Sequence, residues 1–163
     1  MDMENIIPLA LLACLCHEWG HYWAIRFFGG KVKSIHFTVI GAQMEVPQYF
    51  TYTQEFFSAL AGPLVNLLFA LALCHFFPLF AGLHLALGLL NLLPLSPLDG
   101  GRALSCLLAL FLPLPWQQGI RYALHRLCAL AVLAFGLWLF LEGGSITLFL
   151  LGIWLQSSHH ADC

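Results

Sequence analysis

His17, Glu18 and His21 stand together in the run His17-Glu18-Trp19-Gly20-His21. Residues four apart on a helix share one face, with side chains roughly 6 Å apart. Two imidazoles at that spacing can hold one metal ion. Glu18 flanks the same face and is placed to act as a general base toward water, the HExxH arrangement. Two imidazoles leave a catalytic zinc short of ligands, because such a site takes three protein ligands and keeps one position open. Asp99 is the best third ligand, in the run from Asn91 to Arg102 that contains Pro94, Pro97, Gly100 and Gly101. Two plainer readings stand beside these. The HExxH residues could form a polar cluster between helices. Asp99 could cap the helix that starts after Gly100, and a carboxylate has oxygens enough for both roles.

The rest of the chain says where such a site would sit. Of 163 residues, 61% are hydrophobic and 9% charged, against roughly 25% charged in a soluble domain. The expected solvent is therefore lipid. The net charge of −2 gives no footprint for nucleic acid. The acidic start, Met1-Asp2-Met3-Glu4, is unlike the basic start of a secretory signal, so the first apolar run is read as retained. Six cysteines without a CxxC pair read as small packing residues without disulfides.

A bilayer core about 30 Å thick needs roughly 20 apolar residues per helix. Full spans are expected at 6–28, 56–77, 80–93 and 122–141. A shorter segment, interfacial or re-entrant, is expected at 103–112, and 146–155 is short for a span, able to cross only where the bilayer thins or neighbouring helices help. Between the first two spans Ser34, His36 and Thr38 alternate with Ile35, Phe37 and Val39, a period of two that predicts a small hairpin or sheet. The expected fold class is an all-α polytopic membrane protein with about four full transmembrane helices and that hairpin. It forms one membrane-embedded domain over 1–163, with core motifs at 10–110 and additional helices at 116–156.

His17 lies roughly 16 Å of helical rise from Phe28, which puts the motif near mid-membrane. A charged side chain there costs about 2.5–3.5 kcal/mol on insertion scales, and a metal site compensates Glu18. The prolines and glycines of 91–102 predict unwinding, and irregular backbone at membrane depth must face protein or a wet cavity. With the amino terminus outside, Arg26, Lys31, Lys33, Arg102, Arg121 and Arg126 all fall on the cytoplasmic side, as the positive-inside rule expects.

Three ordered motifs resemble the site-2 proteases, intramembrane zinc metalloproteases. They are His17-Glu18-Trp19-Gly20-His21, then Ala61-Gly62-Pro63-Leu64-Val65-Asn66, then the Asn-x-x-Pro-x-x-Pro-Leu-Asp-Gly-Gly-Arg run from Asn91 to Arg102. The closest likeness is to the compact branch that includes the bacterial sporulation sigma-factor-processing protease. The resemblance implies one Zn²⁺ per chain on His17, His21 and Asp99, with Glu18 as general base. It implies that Asn91 holds the substrate backbone or the developing oxyanion. It implies that the strand 34–39 pairs with an extended substrate, and it gives Asn66 a place in the cleft beside its reading as an interhelical hydrogen bonder. The implied partners are a membrane-associated or transmembrane polypeptide, the lipid bilayer and a regulatory membrane partner. The implied location is the plasma membrane of a bacterium, multi-pass, with a cleft open to the cytoplasm. Two departures stand out. The branch usually has a helix before the HExxH helix, and other members carry PDZ or paired CBS domains.

Other residues carry weaker readings. Cys14, one turn before His17, packs or lines the cleft. His36 fits the polar face of the strand. His75 and His84 read as interfacial, His125 as near the inner end of its helix, and His159 and His160 as a solvated tail. Two other functions are weighed against proteolysis: an inactive membrane scaffold of the same fold, against which the complete ligand set speaks, and a metal transporter, against which the lack of a ligand relay speaks.

Overall fold

The computed structural model describes residues 3–30, 35–38, 41–44 and 50–158. It is built almost wholly of helices: α1 Met3–Phe27, α2 Tyr52–Leu73, α3 Pro78–Asn91, α4 Asp99–Phe111, α5 Leu114–Leu141 and α6 Thr147–Ser158. Between α1 and α2, strands β1 Ile35–Thr38 and β2 Gly41–Met44 pair antiparallel, with Ile35 opposite Met44 and Thr38 opposite Gly41. Ser34 and Val39, at the ends of the predicted strand, and the tail histidines His159 and His160 lie outside the described residues. The chain divides into two compact units, residues 1–92 and 93–163, taken in turn below.

In the first unit, α1 stops where the sequence tells it to. Gly29 takes φ +78°, a left-handed conformation open to glycine at little cost. Its N–H bonds to the Arg26 carbonyl at 3.0 Å, and the Gly30 N–H bonds to the Ile25 carbonyl at 2.8 Å. This pair of bonds is a Schellman stop, which satisfies carbonyls that the helix end leaves open. Arg26, in the last turn, meets the negative end of the helix dipole. The start of α2 is fixed as firmly. Thr51 Oγ1 accepts from the Gln54 N–H at 3.3 Å and Gln54 Oε1 accepts from the Thr51 N–H at 3.0 Å, a reciprocal capping box.

Helices α1, α2 and α3 pack on one another. On α1 the buried face is Ala13, His17, Gly20, His21 and Ile25, while Leu11, Leu15, Trp19 and Trp23 are exposed. The polarity is thus inverted relative to a water-soluble helix: histidines point in and large apolar side chains point out. Gly20 allows the close approach, since a Cβ there would lie 2.8 Å from the Ala61 carbonyl oxygen. Small residues at such crossings are how helices pack when lipid removes the hydrophobic drive.

In the second unit, Leu95, Leu98, Ala129 and Leu155 form a buried apolar cluster. The segment 92–98 is irregular, as the prolines predict, and α4 begins at Asp99 rather than after Gly100. The N-cap position belongs to Leu98 and Asp99 sits in the first turn, which corrects the reading of Asp99 as a cap. A carboxylate there still favours the helix through its dipole. Helix α5 starts eight residues earlier than the predicted span, because Pro115 falls in its first turn, where the missing N–H is no loss.

Helices α5 and α6 approach through paired glycines. A Cβ on Gly136 would lie 2.6 Å from the Phe149 amide nitrogen, and one on Gly152 would lie 2.6 Å from the Leu133 Cα. His125 Nε2 donates to the Leu155 carbonyl at 3.0 Å, tying the other end of the pair. Gly152→Val is expected to force α5 and α6 apart and destabilise this unit by about 1–3 kcal/mol. Gly119→Ala serves as control: it lies on an exposed stretch of α5 with nothing within 4 Å of the added Cβ. It is expected to stabilise the chain by about 0.5–1 kcal/mol. Thermal unfolding in detergent reads both signs.

Helices α2 and α5 are long and apolar enough to cross a bilayer. Helix α3 has 14 residues, roughly 21 Å of rise, and α6 has 12. Helix α1 is 25 residues long, and the polar site residues in its second half lower its apolar character.

Candidate metal centre on the HExxH helix

His17 and His21 meet inside the first unit. Their Nε2 atoms are 3.1 Å apart and the rings stand edge to face, with centroids 4.7 Å apart. Both side chains are buried. The His21 Nδ1–H donates to the Ser58 carbonyl at 2.8 Å, which leaves Nε2 of that ring as a lone pair. This is the second contact by which metal-binding histidines are usually held, fixing tautomer and ring plane together. The separation of the two Nε2 atoms is also near the edge of a tetrahedral zinc site, about 3.3 Å for Zn–N bonds of 2.0–2.1 Å. Two imidazoles of matching reach, one with its ligand nitrogen fixed, fit a divalent ion of borderline softness.

His17 is held from behind. Asn66, wholly buried on α2, places its amide nitrogen 3.2 Å from His17 Nδ1 and its oxygen 3.0 Å from His84 Nδ1 on α3. Asn66 therefore bridges three helices. His84, read from sequence as interfacial, is fully buried instead. Its ring stacks on Phe69, with centroids 5.1 Å apart, and meets Phe80 edge-on at 4.5 Å. The lone histidine of an apolar helix gave no warning; its signal was the shared face of Ala81, His84 and Gly88.

The face of α2 toward these histidines carries Ser58, Gly62 and Asn66, one residue per turn. Gly62 leaves the space that the His21 ring fills, and a Cβ there would overlap the ring, lying 2.7 Å from Cε1. Sequence reasoning missed Ser58 and Gly62 as members of the site, although their four-residue spacing with Asn66 was visible. Glu18 is half-buried, with its Oε2 atom out of reach of solvent.

The remaining candidates are placed as follows. Asn91 closes α3, and its Nδ2 donates to the Leu87 carbonyl one turn earlier at 3.0 Å, which leaves the second amide hydrogen for another acceptor. Asp99, in the second unit, is buried in the first turn of α4, with Oδ1 3.9 Å from Arg102 Nη1. The Gly101 that follows permits close packing, because a Cβ there would lie 2.6 Å from the Leu95 carbonyl oxygen. Cys14 and Cys74 are exposed and only Cys106 is buried among the described cysteines. Cys14 therefore does not take the packing role read from sequence.

The first unit thus buries a histidine pair on a helix whose outer face is apolar. The chain is similar to the site-2 proteases: the model of peptidase family M50 matches residues 6–77. It is a membrane protein. It is 33% identical over 115 residues to Stage IV sporulation protein FB of Bacillus subtilis, covering 63% of this chain and 40% of that protein. It is 30% identical over 145 residues to Zinc metalloprotease MJ0392 of Methanocaldococcus jannaschii, covering 79% of this chain and 42% of that protein. The solved structure of a site-2 protease from Methanocaldococcus jannaschii superposes with a TM-score of 0.71 at 26% identity, covering 95% of this chain and 76% of that one. The chain spans about two fifths of the length of the curated relatives it matches.

Proposed function

We propose that this chain is an intramembrane zinc metalloprotease that hydrolyses peptide bonds of membrane-associated or transmembrane polypeptides. The observation that carries this reading is the pair of facing Nε2 atoms on His17 and His21, with Glu18 beside them and His21 locked by Ser58. Asp99 is proposed as the third ligand on the strength of its motif and of the family. One Zn²⁺ held by these residues would supply Lewis acidity toward a water and the scissile carbonyl. Glu18 takes a proton from the attacking water and returns it to the leaving amine. The second amide hydrogen of Asn91 is offered to the oxyanion that develops at the scissile carbonyl. An unwound substrate pairs with the strand 34–39, whose edge satisfies the freed backbone by β-augmentation.

The chain is read as one protease domain with about four spans, in the plasma membrane of a bacterium. The site is read as opening to the cytoplasm, a reading supported by the positive-inside rule. Similarity to the family and the apolar outer faces of α1, α2 and α5 support this reading.

Purified protein is expected to cleave a single-span substrate in liposomes, to stop when a chelator removes the metal and to recover on adding zinc. Asp99→Ala is expected to lower zinc occupancy and cleavage together. If Asp99 served α4 only through the helix dipole, the variant would lose about 0.3–1 kcal/mol of stability and keep its zinc. Metal bound tightly with no cleavage of any peptide would overturn the protease reading in favour of a scaffold.

A further inference from the structure

His84 is a buried imidazole that the chemistry above does not use. Its contacts, joined to those of the site, form one directional chain. His84 Nδ1–H donates to Asn66 Oδ1 at 3.0 Å. Asn66 Nδ2–H donates to His17 Nδ1 at 3.2 Å. His17 Nε2–H then donates to His21 Nε2 at 3.1 Å, and His21 Nδ1–H donates to the Ser58 carbonyl at 2.8 Å. With one proton on each imidazole, each of these donors meets a lone pair. In this arrangement, however, the proton on His17 occupies the nitrogen that a metal needs.

A ligand at His17 Nε2 requires the proton on Nδ1. That N–H cannot face the amide nitrogen of Asn66. It can face the amide oxygen if the side chain turns by half a revolution, and because oxygen and nitrogen are nearly the same size the same two distances serve. The turned amide presents an N–H to His84 Nδ1, which must then be a lone pair, so the proton of His84 sits on Nε2. An imidazole can make this exchange because each nitrogen donates in one tautomer and accepts in the other. The protons balance: on His17 one moves from Nε2 to Nδ1, on His84 one moves from Nδ1 to Nε2, and none is gained or lost.

We infer that His84 is a positioning residue for the metal site. Through Asn66 it sets the tautomer of His17, and zinc uptake switches both imidazoles together. This rests on the metal role proposed for His17. The test uses the full chain in detergent micelles with ¹⁵N-labelled histidine, the His84 signals being assigned from their loss in His84→Asn. Without metal, His17 is expected as the Nε2–H form and His84 as the Nδ1–H form. With zinc, the two are expected to exchange to Nδ1–H and Nε2–H. Competition with a chromophoric chelator reads affinity: His84→Phe is expected to bind zinc about tenfold more weakly. His84→Asn, whose amide can also donate or accept, is expected to restore affinity to near that of the native chain. If the native chain fails to bind zinc, the metal-site reading falls and this inference with it. If zinc binds but the His84 tautomer is the same with and without it, the coupling is overturned while the metal site stands. Should His84→Phe fail to fold, the tautomer exchange in the native chain decides alone.

Discussion

Glu18→Gln is expected to abolish proteolysis while leaving zinc in place. The substitution keeps the length and volume of the side chain and removes the carboxylate that accepts a proton. General acid–base catalysis contributes about 10²–10⁴-fold to such reactions, so the cleavage rate should fall by at least that range. The two imidazoles that meet at 3.1 Å are untouched, so metal content per folded chain should match the native protein. Zinc analysis beside initial rates on one liposome-bound substrate separates the roles. A variant that loses zinc in proportion to activity would make Glu18 a ligand; one that keeps full activity would remove it from the chemistry.

Gly62→Ala is the second large effect, and it strikes the site without altering any polar group. The added methyl would overlap the His21 ring, 2.7 Å from Cε1 and 2.8 Å from Cδ2, where ordinary carbon contacts need about 3.5–4.0 Å. The ring must retreat by about an ångström, which strains the bond from Nδ1 to the Ser58 carbonyl. Displacements of that size cost on the order of 10²-fold in catalysis. Zinc affinity should fall with activity, since the ligand itself has moved. Far-ultraviolet circular dichroism should stay native, because alanine favours a helix more than glycine does. Unchanged zinc affinity would mean that the ring has room the structure does not show.

The helical class, the HExxH helix and the broken segment before Asp99 were legible from sequence because each rests on local rules. Apolar run lengths mark the helices, glycine marks the end of α1, and proline marks the irregular stretch at 92–98. The roles of Ser58, Gly62 and His84 were not legible, because each depends on which face of one helix meets another. A backbone carbonyl that fixes a tautomer has no sequence signature. A glycine that leaves room for a ring looks like any glycine in an apolar helix. The sequence reading of His84 gave only a membrane depth, near Pro78, and not its partners: the hydrogen bond to Asn66 and the ring of Phe69 make its burial affordable. Helix α3 has the length of the predicted segment 80–93 but sits two residues earlier, since Pro78 opens it and the apolar residues continue through Leu93 after the helix has ended at Asn91.

Trp19 and Trp23 lie on the outer side of α1, both 62% exposed, on the same turns whose inner side holds His17 and His21. A single helix diameter, about 10 Å, therefore separates the imidazoles from the outer surface of α1. Helix α1, with its 25 residues, rises roughly 37 Å, more than an average hydrocarbon core of about 30 Å. Thinner or thicker bilayers change how far such a helix tilts, and the ligands are carried on its wall. On the proposed reading, with α1 crossing the bilayer, the membrane would be a mechanical neighbour of the reaction as well as its solvent, and lipid chain length a variable that acts on the spacing of the two imidazoles against α2.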